Sequence, residues 1–342
     1  MTYYAGLDIG LEQTAVCIMD ESGKIVHETK VPSDPEALSQ YLIDTELSFT
    51  RVGLEACPLS QWLFNGLVAA GFPAICIEIR HLKAAMSAMT HKTDRNDARG
   101  IAHVMRTGWF KAVHVKSTLS HEHRMLLTSR RLLVGKRTAL EAELRGSLKV
   151  FGLKIGKVRP KDFAARVFEL VEDRPALVAI VRPLVELRAA IIEQLNVLHR
   201  MVLALVRQDQ QCQRWMAIPG VGPVTALTFR SAVDVPGRFA KSRMVGAHFG
   251  LVPKKHQSGE INRHGRITKR GDAMTRCMLF EAANAMLTRG RFCSMKAWAL
   301  KIAQRRGFKR AKTALARKLA VVMHRMWLDQ AEFRWGAAAA AG

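Results

Sequence analysis

The sequence predicts a mixed α/β domain at the N-terminus, then a coiled-coil-like connector of long helices and a mostly α-helical C-terminal domain. Three observations support this fold class. Short runs rich in β-branched residues open the chain and then alternate with helical patterns. Two long segments rich in Leu, Arg and Glu follow, with helical periodicity. Glycine- and proline-containing stretches then separate further helices. The expected boundaries are 1–115, 116–210 and 211–335, with a low-complexity tail at 336–342.

The first 80 residues favour strands interrupted by short helices. β-Branched residues predict three consecutive strands over YYAGLDIG, TAVCIMD and IVHETKV, and two further strands over RVGLEA and AICIEI. Helices are expected from Pro35 to Leu47, over SQWLFNGLVAAG up to Gly71, and over 91–107 with Gly108 as the stop. The buried face of the last helix is expected to consist of Ala98, Ile101, Ala102 and Met105.

Two long helices are expected in the connector, one from about Thr118 and one from about Pro183 to Gln208. The second has a seam of apolar residues at spacings of three and four, which is typical of a coiled coil. The seam consists of Leu184, Leu187, Ile191, Leu195, Leu198, Val202 and Leu205. A dimer-forming coiled coil and an ordinary two-helix bundle within one chain explain this pattern equally well.

The C-terminal region opens with a turn rich in glycine and proline. PGVGP at 219–223 lies between helical stretches and matches a helix–hairpin–helix turn, in which Gly220 and Gly222 would let the backbone approach a DNA phosphate. A plain interhelical turn is the alternative. Residues 250–272 are polar, basic and glycine-punctuated, and an apolar helix is expected from Met274.

The charge of the chain indicates a polyanionic partner. The net charge is +24, from 53 Lys and Arg against 29 Asp and Glu, and it is unevenly distributed. Residues 1–60 hold ten acids and three Lys or Arg, whereas residues 251–342 hold five acids and twenty Lys or Arg. The cysteines show no CxxC pairing, and no signal peptide or membrane span is expected. We therefore expect a soluble, intracellular protein that binds nucleic acid through its C-terminal part.

Four carboxylates stand out at the predicted sheet edge. Asp8 and Glu55 end two apolar strands, and Asp94 and Asp97 lie about one helical turn apart. Such a cluster could hold Mg²⁺, or Mn²⁺, for phosphoryl transfer on nucleic acid. Structural alternatives exist, because Asp94 could cap its helix with Asp97 at the third position, or the pair could form ion pairs with neighbouring cations. Those cations, also candidates for DNA contact, are Lys92, Arg95 and Arg99. A third alternative for Asp8 is an actin-like ATPase.

These acids, together with KTDRNDA, IPGVGP, GLVPKKHQSG and ITKRGD, resemble one family over residues 4 to 330. It is the insertion-sequence one-ten (IS one-ten) family of DEDD transposases, which are similar to RNA-guided recombinases. The resemblance implies a RuvC-like domain of the RNase H superfamily, with Asp8, Glu55, Asp94 and Asp97 as its catalytic metal ligands. One departure is EACP at 55–58, where the family often has EATG, although the acid is retained.

The resemblance further implies that Ser258 is a nucleophile that forms a covalent serine–DNA intermediate. From the residues alone, a plain loop serine is the favoured interpretation of Ser258, and His256 and His264 could equally be phosphate contacts or bases. Cations around it would bind the DNA backbone, namely Lys254, Lys255, Arg263, Arg266, Lys269 and Arg270. The implied partners are element-end and target DNA, a guide RNA from the element, and further copies of the chain in a dimer or tetramer.

The implied location is the prokaryotic cytoplasm, at the nucleoid. Two other functions stay open at this point. One is a metal-dependent junction resolvase without serine chemistry, and the other is a non-catalytic nucleic-acid-binding protein.

Overall fold

The computed structural model describes residues 2–78, 93–259 and 261–336. The chain divides into two compact units, Met1–Lys116 and Ser117–Gly342. Lys92 and all of the predicted tail except Gly336 lie outside the described residues. No helix in the described ranges is both long enough and apolar enough to cross a membrane.

The first unit contains a five-stranded mixed sheet. Its strands are β1 (Tyr3–Ile9), β2 (Gln13–Asp20), β3 (Ile25–Pro32), β4 (Phe49–Glu55) and β5 (Ala74–Ile77). Across the sheet their order is β3–β2–β1–β4–β5. The first three strands pair antiparallel, whereas β4 runs parallel to both β1 and β5. The predicted mixed α/β sheet is confirmed.

Helices cover both faces of this sheet. One face packs against α1 (Pro35–Asp44) and α2 (Ser60–Ala69) through alternating strand residues such as Leu7 and Leu54. The opposite face packs against α3 (Asp94–Thr107), whose Ala98 and Ala102 meet β2. Because successive strand residues point to opposite faces, β2 contributes Val16 and Ile18 to the core beneath α1 and α2, and Ala15 and Cys17 to the core beneath α3.

The position of α3 matches the prediction at its C-terminus and differs at its N-terminus. Gly108 ends the helix at φ 71°, and all four residues of the predicted apolar face are buried. The N-cap is Thr93, whose hydroxyl accepts a hydrogen bond from the Asn96 amide at 3.2 Å. Asp94 is therefore the first residue of the helix and not its cap, because the preceding threonine already satisfies that amide.

The second unit is mostly helical, as predicted. Its helices are α4 (Thr118–Lys149), α5 (Phe163–Val171), α6 (Pro175–Gln208), α7 (Gln210–Met216), α8 (Pro223–Val233), α9 (Arg243–His248), α10 (Ala273–Thr288), α11 (Ser294–Arg306) and α12 (Phe308–Leu328). The sequence did not predict a two-stranded antiparallel hairpin of β6 (Pro253–Ser258) and β7 (Ile261–Ile267).

The two long helices α4 and α6 pack against each other within the chain. α6 begins at Pro175, eight residues before the expected start, and Pro183 lies inside it. The predicted seam is only partly buried, since Leu195 and Val202 are buried but Leu187 is 52% exposed. The buried side is instead offset from that seam and includes Val181, Val185 and Val206. The face of α6 that is buried therefore only partly coincides with the predicted apolar seam.

The central core of the second unit joins the long helices to the C-terminal ones. Trp215 of α7 is fully buried in this core, and its indole donates a hydrogen bond to the Met323 carbonyl at 2.8 Å. Leu126 of α4 and Val202 of α6 belong to the same cluster. The N-terminal part of α4 and the C-terminal part of α6 therefore belong to the C-terminal core. The predicted domain boundary near residue 210 stays a prediction.

Candidate catalytic and nucleic-acid-binding site

The carboxylates Asp8 and Glu55 end neighbouring parallel strands in matching register. Gly6 pairs with Gly53 and Leu7 with Leu54, and the two acids follow these pairs directly. Both strands thus read Gly-Leu-acid, with the leucines on the α1–α2 face and the glycines and acids on the α3 face. Asp8 and Glu55 are both half-buried. The sheet therefore brings these two predicted site residues together.

Two glycines allow α3 to lie close to the strands that carry the acids. A Cβ at Gly6 would collide with the backbone of Ala98 and Ala102, and a Cβ at Gly53 would come within 2.5 Å of Met105. Arg51, two residues before Gly53, donates a hydrogen bond to the Met105 carbonyl at 2.6 Å. The C-terminal turn of α3 thus lies toward the strand starts, and its first turn, with Asp97, lies toward the strand ends.

The acids of the first helical turn differ in their surroundings. Asp97 is half-buried. Asp94 has a side chain that is 68% exposed and accepts an ion pair from Lys30 of β3 at 3.0 Å. The cations near it in sequence, Arg95 and Arg99, pair with another acid. Asp94 therefore lies at the periphery of this edge.

A divalent metal suits the chemistry of these donors. Half-buried carboxylates on adjacent strands repel each other, and a hard cation that prefers oxygen ligands offsets that repulsion. Among the residues that the structure describes, no group of three or more His, Cys, Asp or Glu side chains is close enough to hold a metal ion. The suitability of these residues for a metal thus rests on their oxygen donors and on the position of the carboxylates at one edge of the sheet.

Glu28 of β3 holds α3 on the sheet and was missed by sequence reasoning. Its carboxylate accepts hydrogen bonds from Arg95 Nε and from Arg99 Nη2, both at 2.8 Å, and is only 13% exposed. The hydrogen bonds from Arg99 contribute most to lowering the pKa of Glu28 to about 2 from its ordinary 4.5. Arg95 and Arg99, expected as DNA contacts or as partners of Asp94, form ion pairs with Glu28, and their contact with DNA stays a prediction.

We expect Glu28→Gln to lower the free energy of unfolding of the first unit by about 2 kcal/mol at neutral pH. This value is smaller than the free energy that corresponds to the full pKa shift, because Arg95 is largely exposed and solvent screens its charge. A lowered folded-state pKa contributes stability above the ordinary pKa of 4.5, and this contribution disappears as the pH falls toward 2. The difference between wild type and variant in denaturant unfolding should therefore shrink between these pH values. The exposed Glu12→Gln serves as the control, and a difference independent of pH would rule out this linkage.

Ser258 lies at the tip of the β6–β7 hairpin. It pairs with Ile261, so that only Gly259, at φ 53°, and residue 260 connect the strands. Ser258 and Gly259 are both exposed. Arg263 pairs with position 256, two residues from Ser258, and so the side chains of Ser258 and Arg263 project from the same face of the hairpin. A hydroxyl and a guanidinium are thus presented together.

The cations predicted around Ser258 are all exposed in the hairpin and in the loop that follows it. They are Lys254, Lys255, Arg263, Arg266, Lys269 and Arg270. Two glycines with positive φ, Gly250 and Gly271, hold the base of the hairpin, because a Cβ at either would collide with backbone of the opposite segment. The amide of Thr268 also donates to the Val252 carbonyl at 2.8 Å. The hairpin therefore projects from a fixed base. The side chains of His256 and His264 are outside the described atoms.

The predicted glycine turn connects α7 and α8, and its two glycines have different surroundings. Gly220 has φ 87°, and a Cβ there would collide with the Ala282 carbonyl of α10. Packing against α10 and the positive φ thus require glycine at position 220. Gly222 caps α8 and has nothing within 4 Å of an added Cβ. The helix–hairpin–helix assignment is not confirmed, and DNA contacts at Gly220 and Gly222 stay predictions.

Part of the chain shows a weak likeness to a solved structure. Thermus thermophilus RuvC in complex with a Holliday junction substrate matches 33% of this chain and 100% of that chain, at 14% identity and a TM-score of 0.27. At this TM-score the match supports no conclusion about function.

Family models and relatives give a stronger result. Residues 5–152 match the model DEDD_Tnp_IS110, described as a transposase, and residues 212–298 match the model described as "Transposase IS116/IS110/IS902 family". The chain is 30% identical to the transposase for insertion sequence element IS1111A of Coxiella burnetii, over 97% of this chain and 91% of that protein. It is also 30% identical to a probable family 20 transposase of Pseudomonas aeruginosa, over 80% and 82% of the two chains. The chain therefore belongs to the IS116/IS110/IS902 family, and it is an insertion-sequence DNA transposase.

Proposed function

We propose that this transposase cuts and rejoins DNA through a covalent serine–DNA intermediate with Ser258 as the nucleophile. The observation that carries the proposal is the position of Ser258, exposed at the tip of a hairpin and on the same face as Arg263. Backbone phosphates can reach such a tip because Gly259 adds no side chain there. Exposed Lys and Arg on both strands favour the approach of a polyanion.

The proposed step conserves atoms and charge. The Oγ of Ser258 forms a bond to the phosphorus of a DNA phosphodiester, and the bond from that phosphorus to one deoxyribose oxygen breaks. The serine proton leaves as the departing oxygen takes up a proton. A deoxyribose hydroxyl of another strand then attacks the same phosphorus and releases Ser258. Arg263 and nearby cations would stabilise the additional negative charge of the transition state.

The first unit would act as a RuvC-like DEDD centre. We propose that Asp8, Glu55, Asp94 and Asp97 hold Mg²⁺, with Mn²⁺ as a substitute. When bound, the ion would neutralise charge on the scissile phosphate. The Gly-Leu-acid register and the close approach of α3 support this assignment. Glu28 would keep the first turn of α3 in place through Arg95 and Arg99.

The remaining cations of the hairpin and its following loop would bind DNA backbone. Lys254, Lys255 and Arg266 lie on the strands, and Lys269 and Arg270 follow them. Contacts to phosphates set affinity and salt dependence without selecting a sequence. The amides at Gly222, at the start of α8, would add a further phosphate contact.

Sequence selection then requires another component, and we propose a guide RNA from the element that pairs with donor and target DNA. The net charge of +24 is compatible with simultaneous binding of RNA and DNA. The site of action would be the prokaryotic nucleoid.

We also propose a homo-oligomer, a dimer or tetramer. A groove of about 510 Å³ on the α4–α6 pair, lined by apolar residues together with Lys136 and Glu143, offers a surface that a second copy can cover. Its apolar residues include Leu133, Leu140, Leu187 and Ile191.

The proposal is tested by reconstitution. Purified protein with its co-purified RNA, Mg²⁺ and labelled element-end DNA should give a protein–DNA adduct and strand exchange, whereas prior RNase treatment should abolish both. Cleavage that needs Mg²⁺ but gives no adduct would favour the metal-dependent resolvase. Adduct formation that survives RNase would contradict the guide RNA but not the serine chemistry.

A further inference from the structure

The turn between α11 and α12 carries an exposed cluster of cations. Residues 304–310 are seven consecutive exposed positions. Arg305 and Arg306 end α11, Gly307 turns the chain at φ 81°, and Lys309 and Arg310 lie in the first turn of α12. We call these four cations the α11–α12 corner.

The corner lies in a stretch of the chain that has no acids. Residues 282–328 contain twelve Lys or Arg and no Asp or Glu. Four like charges at one turn repel one another, and this repulsion disfavours the fold unless an anion offsets it. All four residues are exposed, and so the packing of the described part of this unit does not require their charges.

Some arginines elsewhere in this unit have carboxylate partners. Arg230 pairs with Asp209 at 3.0 Å, and Arg325 pairs with Asp329 at 2.6 Å. Within the described part of the chain, no carboxylate forms an ion pair with any corner cation. The four charges are thus available to an external anion.

We propose that the α11–α12 corner is a second nucleic-acid-binding surface that holds a phosphate backbone without reading bases. Guanidinium and ammonium groups at one exposed turn match consecutive phosphates of a strand. The corner lies beyond residue 298, where the second family model ends, and on different elements from the β6–β7 hairpin. Duplex DNA and RNA share the chemistry that it recognises. The inference concerns binding alone, and so it goes beyond the serine chemistry proposed above.

The test compares two variants that each remove four positive charges. The corner variant is Arg305→Gln, Arg306→Gln, Lys309→Gln and Arg310→Gln. The control variant changes four exposed lysines near the distal end of the long-helix pair to Gln, namely Lys149, Lys154, Lys157 and Lys161. Circular dichroism first verifies that both variants are folded. Kd is then measured over a range of salt concentrations with a 30-bp duplex DNA and with an RNA stem–loop.

The corner variant should weaken binding of at least one probe by about tenfold or more near 0.1 M salt. The slope of log K against log salt for duplex DNA should fall by up to about 3.6, since each lost phosphate contact contributes about 0.9. The control should match wild type. The probe that loses more affinity identifies the bound strand. Equal losses in both variants, or none in either, would overturn the proposal.

The binding measurement tests the α11–α12 corner independently of the proposed serine chemistry. Ser258→Ala should bind both probes with the wild-type salt slope. At saturating protein the corner variant should still form the Ser258 adduct. If wild type forms no adduct but the corner variant still lowers the salt slope, the proposed chemistry fails and the second binding surface stands.

Discussion

Ser258→Ala is expected to lower formation of the covalent protein–DNA adduct by at least about a thousandfold, because the change removes the attacking oxygen itself. DNA binding should change little, since the cations of the hairpin and its loop remain and the side chain is exposed. Stability should also be unaffected for the same reason. The measurement is denaturing gel electrophoresis of labelled element-end DNA, with Kd determined in parallel.

The matched control for this variant is Ser129→Ala. Ser129 lies on α4 and is followed by Arg130 and Arg131, so it too is a serine beside cations. Its removal should leave the adduct yield at the wild-type level. Full cleavage and strand exchange by Ser258→Ala would disprove the serine chemistry and favour a reaction performed by the carboxylates alone.

Asp97→Asn is expected to reduce DNA cleavage by at least about a hundredfold, because it removes one charged oxygen donor from the proposed metal centre. The amide is almost isosteric, and so the fold and DNA binding should be retained. A second readout is independent of activity: wild type should show a rise in melting temperature with Mn²⁺, and Asp97→Asn should show a smaller rise. Asp8→Asn should behave in the same way.

Asp44→Asn provides the control, because it makes the same chemical change in the same unit. Asp44 is an exposed residue at the end of α1. Wild-type cleavage by Asp97→Asn would remove this residue from the centre. Wild-type cleavage by Asp8→Asn as well would indicate that the first unit is not catalytic and only binds nucleic acid.

The first unit was largely predictable because its strands and helices have clear periodicity. The buried face of α3 and its stop at Gly108 follow from helical spacing and from the left-handed conformation that glycine accepts. The Gly-Leu-acid repeat was a further signal: glycine two residues before each acid marks the close approach of α3. Glu28 could not be found in this way, since its partners lie 67 and 71 residues away.

The β6–β7 hairpin gave no recognisable strand signal. Strand prediction depends on alternation between apolar and polar residues, which arises when one face is buried. PKKHQS is polar after Pro253, and its described side chains are exposed, so this alternation is missing. The hairpin is defined instead by its backbone pairing and by the collisions that Gly250 and Gly271 avoid. Its exposed position is also what makes it suitable as a binding surface.

The extent of α6 was mispredicted for a different reason. The sequence predicts a helix start at Pro183, but Pro175 occupies that position, where the missing amide is tolerated. The apolar residues of α6 also exceed what α4 can cover, and so Leu187 remains exposed. Periodicity indicates that a helix has an apolar side, whereas only the tertiary structure determines which part of it faces α4.

Covalent serine–DNA chemistry is tested by identifying the residue that carries the DNA. The trapped adduct is digested with nuclease and trypsin, and the peptides are analysed by mass spectrometry. Trypsin should release HQSGEINR, residues 256–263, in which Ser258 is the single hydroxyl residue. We predict a nucleotide phosphate on this peptide, at Ser258. A nucleotide on any other peptide, or DNA cleavage with no modified peptide, would contradict it.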